Sequence, residues 1–261
     1  MAEFTTTAKD AAAKGKYIAA FQPDEAMYWL SAQAAAAGAT WFGAENDQWK
    51  VTANGPETMK VAAFWQDLID SKEALVQNRW EDGFKTALVS QKLIGTIGAG
   101  WETPLLSGDM KGSPNDGQWA VAQLPAFGDT PMTGPDGGSG VAVLKGCAHP
   151  DQAMQFNDWF NTQIDDLLTQ GLVVAAKGTM TTPADVKAFY GGQDVFAELA
   201  TANEATNPNF PYMPTFPAIG DAMSKAAAAA GSGQGKVAGI FEAAQTESVQ
   251  SLKAAGLPVA G

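Results

Sequence analysis

The residues that carry most enzyme and metal chemistry are nearly absent from this chain, which has one cysteine, Cys147, and one histidine, His149. A lone cysteine excludes an internal disulfide, and a lone histidine excludes a histidine-rich metal cluster. No Ser-His-Asp or Cys-His pair of useful placement can be assembled either. His149 stands beside Pro150 in a turn and reads as solvated, while Cys147 has no basic cluster to lower its pKa and reads as inert. Basic residues are scarce too, 16 against 28 acidic, and the net charge of -12 repels nucleic acid and anionic membrane surfaces. No apolar run reaches the length that spans a bilayer, so no direct membrane insertion is expected. The glycines at 137–140 precede an apolar run instead of following one, unlike a phosphate-binding loop. No cofactor and no metal are predicted.

What the chain does have is a folding composition. Its 261 residues are 46% hydrophobic and 17% charged, enough to bury a core in one large or two small domains. Helical patterns cover 3–14, 23–37, 56–70 and 81–92, with Pro23 and Pro56 at first-turn positions and Gly15 and Gly38 as stops. Short apolar runs at 16–22, 93–97, 119–124 and 141–144 read as strands, and 45–48 reads as a polar loop. Residues 127–138, rich in Gly, Pro and Asp, are the candidate crossing or hinge loop. A helix opens at Pro150 and places Ala153, Phe156, Trp159 and Phe160 on one face. Residues 164–177 read as partly helical, 185–202 hold two short helices, and 207–217 carry too many prolines for a regular element. Helices over 218–230 and 235–255 close the chain. The alternation predicts an α/β layer architecture with no internal repeat.

Several stretches carry a family resemblance. The run Gly137-Gly138-Ser139-Gly140, then Val141-Ala142-Val143-Leu144, then Lys145-Gly146, then Pro150 and its helix, resembles a segment of the extracellular solute-binding proteins of ABC sugar importers, family 1, maltodextrin-binding-like. Glu3-Phe4 with its alanine-lysine helix, the small-residue turn before Trp41-Phe42, and Asn54-Gly55-Pro56-Glu57 resemble the same family in the same order. So do Phe64-Trp65-Gln66-Asp67-Leu68-Ile69-Asp70, the strand delivering Trp101, and 121–125. The resemblance implies a periplasmic-binding-protein-like type II α/β fold, mostly its second lobe. Residues 1–130 and 165–261 would form that second lobe, and 131–164 a crossing segment belonging to the first. Family members usually carry a further first-lobe segment before the point where this chain begins. The expectation is that this segment holds the export signal, a lipid-anchor cysteine and half of the ligand cleft. The first residues, Met-Ala-Glu-Phe-Thr-Thr-Thr-Ala-Lys, show no apolar signal core. An extracytoplasmic location, an oligosaccharide ligand and an ABC permease partner follow from the same resemblance.

Sugars offer apolar C–H faces and a rim of hydroxyls, so they are held by aromatic rings together with carboxylates, amides and backbone groups. Trp101 follows three small residues at a strand end, where the family places a sugar-stacking tryptophan, and Glu102 adjoins it. Asp24, Glu25, Tyr28 and Trp29 surround a helix start where related maltodextrin binders touch sugar, and Glu25 is the preferred hydroxyl contact. The plain alternative is that Asp24 and Glu25 serve the helix N-terminus. Tyr212 and Phe216 lie in the proline-rich loop, where rigidity would preorganise rings. Gly138 and Ser139 could offer backbone donors, and Trp41 either joins them or packs a helix end. Non-catalytic carbohydrate capture leads. Two other readings stand beside it: a glycoside hydrolase using two carboxylates such as Glu25 and Glu102, for which no facing pair is identifiable, and a structural domain whose tryptophans are all buried.

Overall fold

The computed structural model describes residues 1–169 and 174–260. In chain order the elements are α1 (Ala2–Ala12), β1 (Ala20–Phe21), α2 (Ala26–Ala36), β2 (Phe42–Glu45), β3 (Gln48–Val51), α3 (Pro56–Asp70), β4 (Leu75–Val76) and α4 (Asp82–Val89). Then come α5 (Glu102–Met110), α6 (Pro150–Asn161), α7 (Ile164–Thr169), α8 (Ala184–Phe189), α9 (Val195–Glu204), α10 (Gly220–Gly231) and α11 (Ala238–Ala254). The expected mixed stretch at 164–177 begins with α7; positions 170–173 lie outside the described residues.

The chain divides into two compact units. The first comprises Met1–Ile97, Leu124–Asp136 and Ala202–Gly261. Its centre is α2, a helix of mostly small residues buried almost all round from Trp29 to Ala36. Small side chains let neighbours approach closely: a Cβ on Gly134 would collide with the Ala32 carbonyl. The carbonyls at the end of α2 are met by Asn207, whose side-chain amide donates to Ala35 O at 2.9 Å and Ala39 O at 3.1 Å. Phe21, Trp29 and Trp65 pack ring on ring, Trp29 to Trp65 at 4.8 Å between centroids. Beside them the buried Gln33 accepts the Trp65 indole N–H at 2.8 Å. Strand pairing in this unit is slight. Strand β1 pairs in parallel with β4, and a single parallel bridge joins Tyr17 to Leu93. The expected loop at 45–48 is instead the turn of a hairpin, β2 against β3, with Asn46 and Asp47 both at positive φ as a two-residue turn of this hand requires.

The second unit comprises Gly98–Gln123 and Gly137–Thr201. Leu106 and Met110 of α5 and Val186 and Phe189 of α8 are buried here with Tyr190, Val195 and Phe196. The Tyr190 hydroxyl donates to Thr103 O at 2.9 Å.

Three predicted strands are not strands, and the reason is where their backbone groups find partners. Over 93–97 only Leu93 pairs; the Ile97 carbonyl accepts the Trp29 indole N–H at 2.8 Å. Over 119–124, Val121 is satisfied by the Gln193 side chain, which accepts its N–H and donates to its carbonyl, both at 2.8 Å. Over 141–144 the chain is irregular and mainly exposed, with the Val141 carbonyl taking the Asn157 amide at 3.1 Å. A side-chain amide can do for one residue what a neighbouring strand does for a whole ladder.

Candidate functional site

The acids that the sequence brings forward sit at the start of α2, where Pro23–Glu25 makes a short 3-10 turn after β1. Asp24 faces the loop between β4 and α4. Its carboxylate accepts the backbone N–H of Arg79 at 2.8 Å and of Trp80 at 3.1 Å, so it serves that loop rather than its own helix. Glu25 accepts the indole N–H of Trp80. Burial is the largest influence on Glu25 and raises its pKa above the ordinary value. The Trp80 hydrogen bond pulls it back, neighbouring Asp24 lifts it, and the Arg79 charge lowers it. A carboxylate offers about four acceptor directions. The indole occupies one, so the same group can still accept from a further donor.

Three residues beyond Glu25, Tyr28 opens a ring cluster with Tyr212 and Phe216. Centroids lie 6.2 Å apart for Tyr28 and Tyr212, 5.4 Å for Tyr28 and Phe216, and 4.6 Å for Tyr212 and Phe216. The Tyr212 hydroxyl donates to Pro135 O at 2.8 Å, which fixes its ring. Tyr28 and Tyr212 are half-buried, and Phe216 is 3% exposed and backs them from the core. Trp29 is 2% exposed, with its indole N–H on Ile97. Trp41 is fully buried, packs on Phe210 and Phe241, and donates to the Thr58 hydroxyl at 2.9 Å. Asp24, Glu25, Tyr28, Tyr212 and Phe216 thus gather in the first unit, with Trp29 and Trp41 in its core.

Trp101, Glu102, Gly138 and Ser139 belong to the second unit. Trp101 is the half-buried residue preceding α5. Glu102 is buried in the first turn of that helix, near the Ala99 N–H at 3.4 Å. Burial and then the Glu102 charge push the Tyr190 hydroxyl well above the ordinary tyrosine range. Gly138 and Ser139 are exposed, Gly138 at φ +129. A hollow of about 490 Å³ lies along residues 141–147 against Ala153, Phe156 and Asn157 of α6. Among the described residues no group of His, Cys, Asp and Glu is placed to hold a metal ion, and no helix is long and apolar enough to cross a membrane.

Trp80 is the residue that sequence reasoning passes over. It is 60% exposed, yet anchored by backbone and side chain alike. Its only signal is a large aromatic set among charges, Arg79-Trp80-Glu81-Asp82.

Residues 1–165 match the family described as bacterial extracellular solute-binding protein. Among solved structures, the chain is similar to the galacto-N-biose-/lacto-N-biose I-binding protein of the ABC transporter from Bifidobacterium longum, in complex with lacto-N-biose. That match is 46% identical, has a TM-score of 0.94, and covers 99% of this chain and 64% of that one. An ABC transporter associated binding protein from B. animalis subsp. lactis, in complex with beta-1,6-galactobiose, matches at 18% identity and a TM-score of 0.83 over 99% of this chain and 67% of that one. The GacH receptor of Streptomyces glaucescens, solved unliganded and with acarbose, matches at 18% identity and a TM-score of 0.68 over 97% and 63%. The latter two carry the fold alone. The chain spans 64% of the length of the first. No curated protein sequence matches it.

Proposed function

The chain belongs to the bacterial extracellular solute-binding protein family, and from that premise we propose that it is the sugar-capturing part of an ABC importer, binding an oligosaccharide without making or breaking a bond. The observation that carries this reading is the pair of half-buried rings Tyr28 and Tyr212, the latter fixed by its hydroxyl on Pro135, with the carboxylate of Glu25 three residues before Tyr28 at the same helix start. Such an arrangement offers stacking for the C–H faces of a sugar and an acceptor for its rim. Phe216, Trp29 and Trp41 support it from below, while Trp101, Glu102, Gly138 and Ser139 are the contacts assigned to the second unit.

The resemblance to the lacto-N-biose-binding relative at 46% identity favours a disaccharide of that kind, lacto-N-biose or galacto-N-biose, over a maltodextrin. The lobe assignment, 1–130 with 165–261 against a crossing segment at 131–164, belongs to the same reading. In the structure 98–123 and 137–201 form one compact unit, so the assignment rests on the family resemblance and not on the packing. An extracytoplasmic location and a membrane permease as partner follow from the family.

Isothermal titration of the intact, two-lobed protein with lacto-N-biose, galacto-N-biose, galactobiose and maltose tests the proposal; this chain by itself, without the first-lobe half of the cleft, is expected to bind weakly or not at all. Saturable heat from the intact protein with at least one galactose-containing disaccharide is expected. Silence with all four up to the millimolar range, or release of free monosaccharide, overturns it.

A further inference from the structure

We infer that Trp80 is a sugar-stacking platform of the first unit, with Glu25 as the residue that positions its ring. The inference rests on the sugar-binding reading above and adds to it a contact outside the helix-start residues. An exposed tryptophan on a loop ordinarily has several rotamers, and holding one costs side-chain entropy on binding. Here that freedom is already spent. Asp24 holds the loop through the N–H groups of Arg79 and Trp80, at 2.8 and 3.1 Å. Glu25 holds the indole edge through its N–H. The Arg79 guanidinium lies over the Trp80 ring at 5.0 Å from the centroid and also over Phe84 at 4.6 Å, tying the ring to the core.

The indole is nevertheless 60% exposed. A large apolar surface fixed in place and left in water is a preorganised surface for a ligand. The chemistry beside it selects the ligand class. The ring edge adjoins the Glu25 carboxylate, which can accept a hydroxyl from a ring stacked on the indole. Tyr28 follows three residues on, so one turn of chain joins Trp80 to the Tyr28–Tyr212 cluster. A hexose unit fits that pairing of flat apolar face and adjacent acceptor.

The test is protein-observed NMR of the intact, two-lobed protein, following the Trp80 indole N–H during titration with lacto-N-biose and galacto-N-biose, beside Trp80→Ala, Glu25→Gln and Glu25→Ala. A saturable shift at Trp80 is expected, with affinity falling about tenfold in Trp80→Ala, the scale of one lost stacking contact. Glu25→Gln keeps an oxygen acceptor for the indole and should hold the Trp80 resonance near its native position; Glu25→Ala should not. Binding that shifts other resonances while Trp80 stays still overturns this inference and leaves the sugar-binding reading standing. The absence of binding by any resonance overturns both. Trp80 is exposed, so its substitution leaves the core intact; unchanged dispersion elsewhere in the spectrum checks this.

Discussion

Two three-ring aromatic clusters in this molecule have similar spacing and opposite surroundings. On α6, Phe156, Trp159 and Phe160 face one another at 5.7 and 5.9 Å, and all three are exposed. Beside α2, Tyr28, Tyr212 and Phe216 lie at similar spacing, but each ring is backed by the core or held by a hydrogen bond. The difference lies in the polar frame. Tyr28 follows Glu25 by three residues, and its ring neighbour Tyr212 has its hydroxyl seated on the Pro135 carbonyl. On and beside α6, Met154, Val141 and Leu144 are exposed as well, and the side-chain amides of Asn157 and Asn161 bond to backbone or to each other. Aromatic content alone therefore does not mark a sugar site. On the reading proposed above, rings fixed beside acceptors do, whereas bare rings at helical spacing make a packing face.

This contrast can be broken most forcefully at the core that supports the first cluster. Trp65→Ala removes a fully buried ring stacked on Trp29 and Phe21 and leaves Gln33 without its donor. A loss of about 3–5 kcal/mol in unfolding free energy is expected, against about 0.5 kcal/mol or less for Trp159→Ala on α6. Urea titration of the two variants measures the gap, and equal losses would erase the distinction drawn above. A smaller effect is expected in the second unit at Thr182. Its hydroxyl donates to Asp194 at 2.6 Å and accepts the Phe196 N–H at 3.0 Å, while Asp194 also accepts the Ala197 N–H as the cap of α9. Thr182→Val should cost about 1 kcal/mol, read as a lower urea midpoint with unchanged m-value.

Local chemistry was legible in the sequence, and distant partnership was not. Pro56 after Asn54-Gly55 marks the start of α3 because a first-turn proline loses no hydrogen bond. The proline-rich 207–217 is irregular up to Thr215, but Phe216 and Pro217 open a short 3-10 turn, Phe216–Ile219, because a first-turn proline loses no hydrogen bond. The strands failed because a strand is defined by its neighbour, and here the neighbours of Val121 and Ile97 are side chains 72 and 68 residues away. In the candidate site, the place of Glu25 and Tyr28 at a helix start was readable from the sequence. Trp29 shows the limit of that reading. Adjacent aromatics at the head of α2 diverge, one half-buried and one in the core, and a helix buried almost all round has no polar face by which to tell them apart. Trp80 was invisible because its meaning depends on Glu25, 55 residues earlier.

The smallest expected effect is also the one that separates the two clusters by mechanism. Burial raises the Glu25 pKa, so the folded chain keeps a proton on Glu25 at pH values where the unfolded chain has lost it. The stability this confers is fully present below the ordinary glutamate pKa and is lost as pH rises through the raised folded value. Ionisation has the opposite local consequence, since a charged acceptor holds the Trp80 N–H more strongly than a neutral one. Across that window, rising pH should therefore tighten the indole while slightly lowering global stability. The Trp80 indole proton should titrate above the ordinary glutamate value, and the stability of the native chain should drift downward relative to Glu25→Gln. Trp159→Ala should reproduce the native profile, because no carboxylate anchors that ring. A Trp80 signal that titrates at the ordinary glutamate value, or a Glu25→Gln chain with the native pH profile, would show that the acid beside the indole is solvated, and the polar frame would no longer distinguish the two clusters.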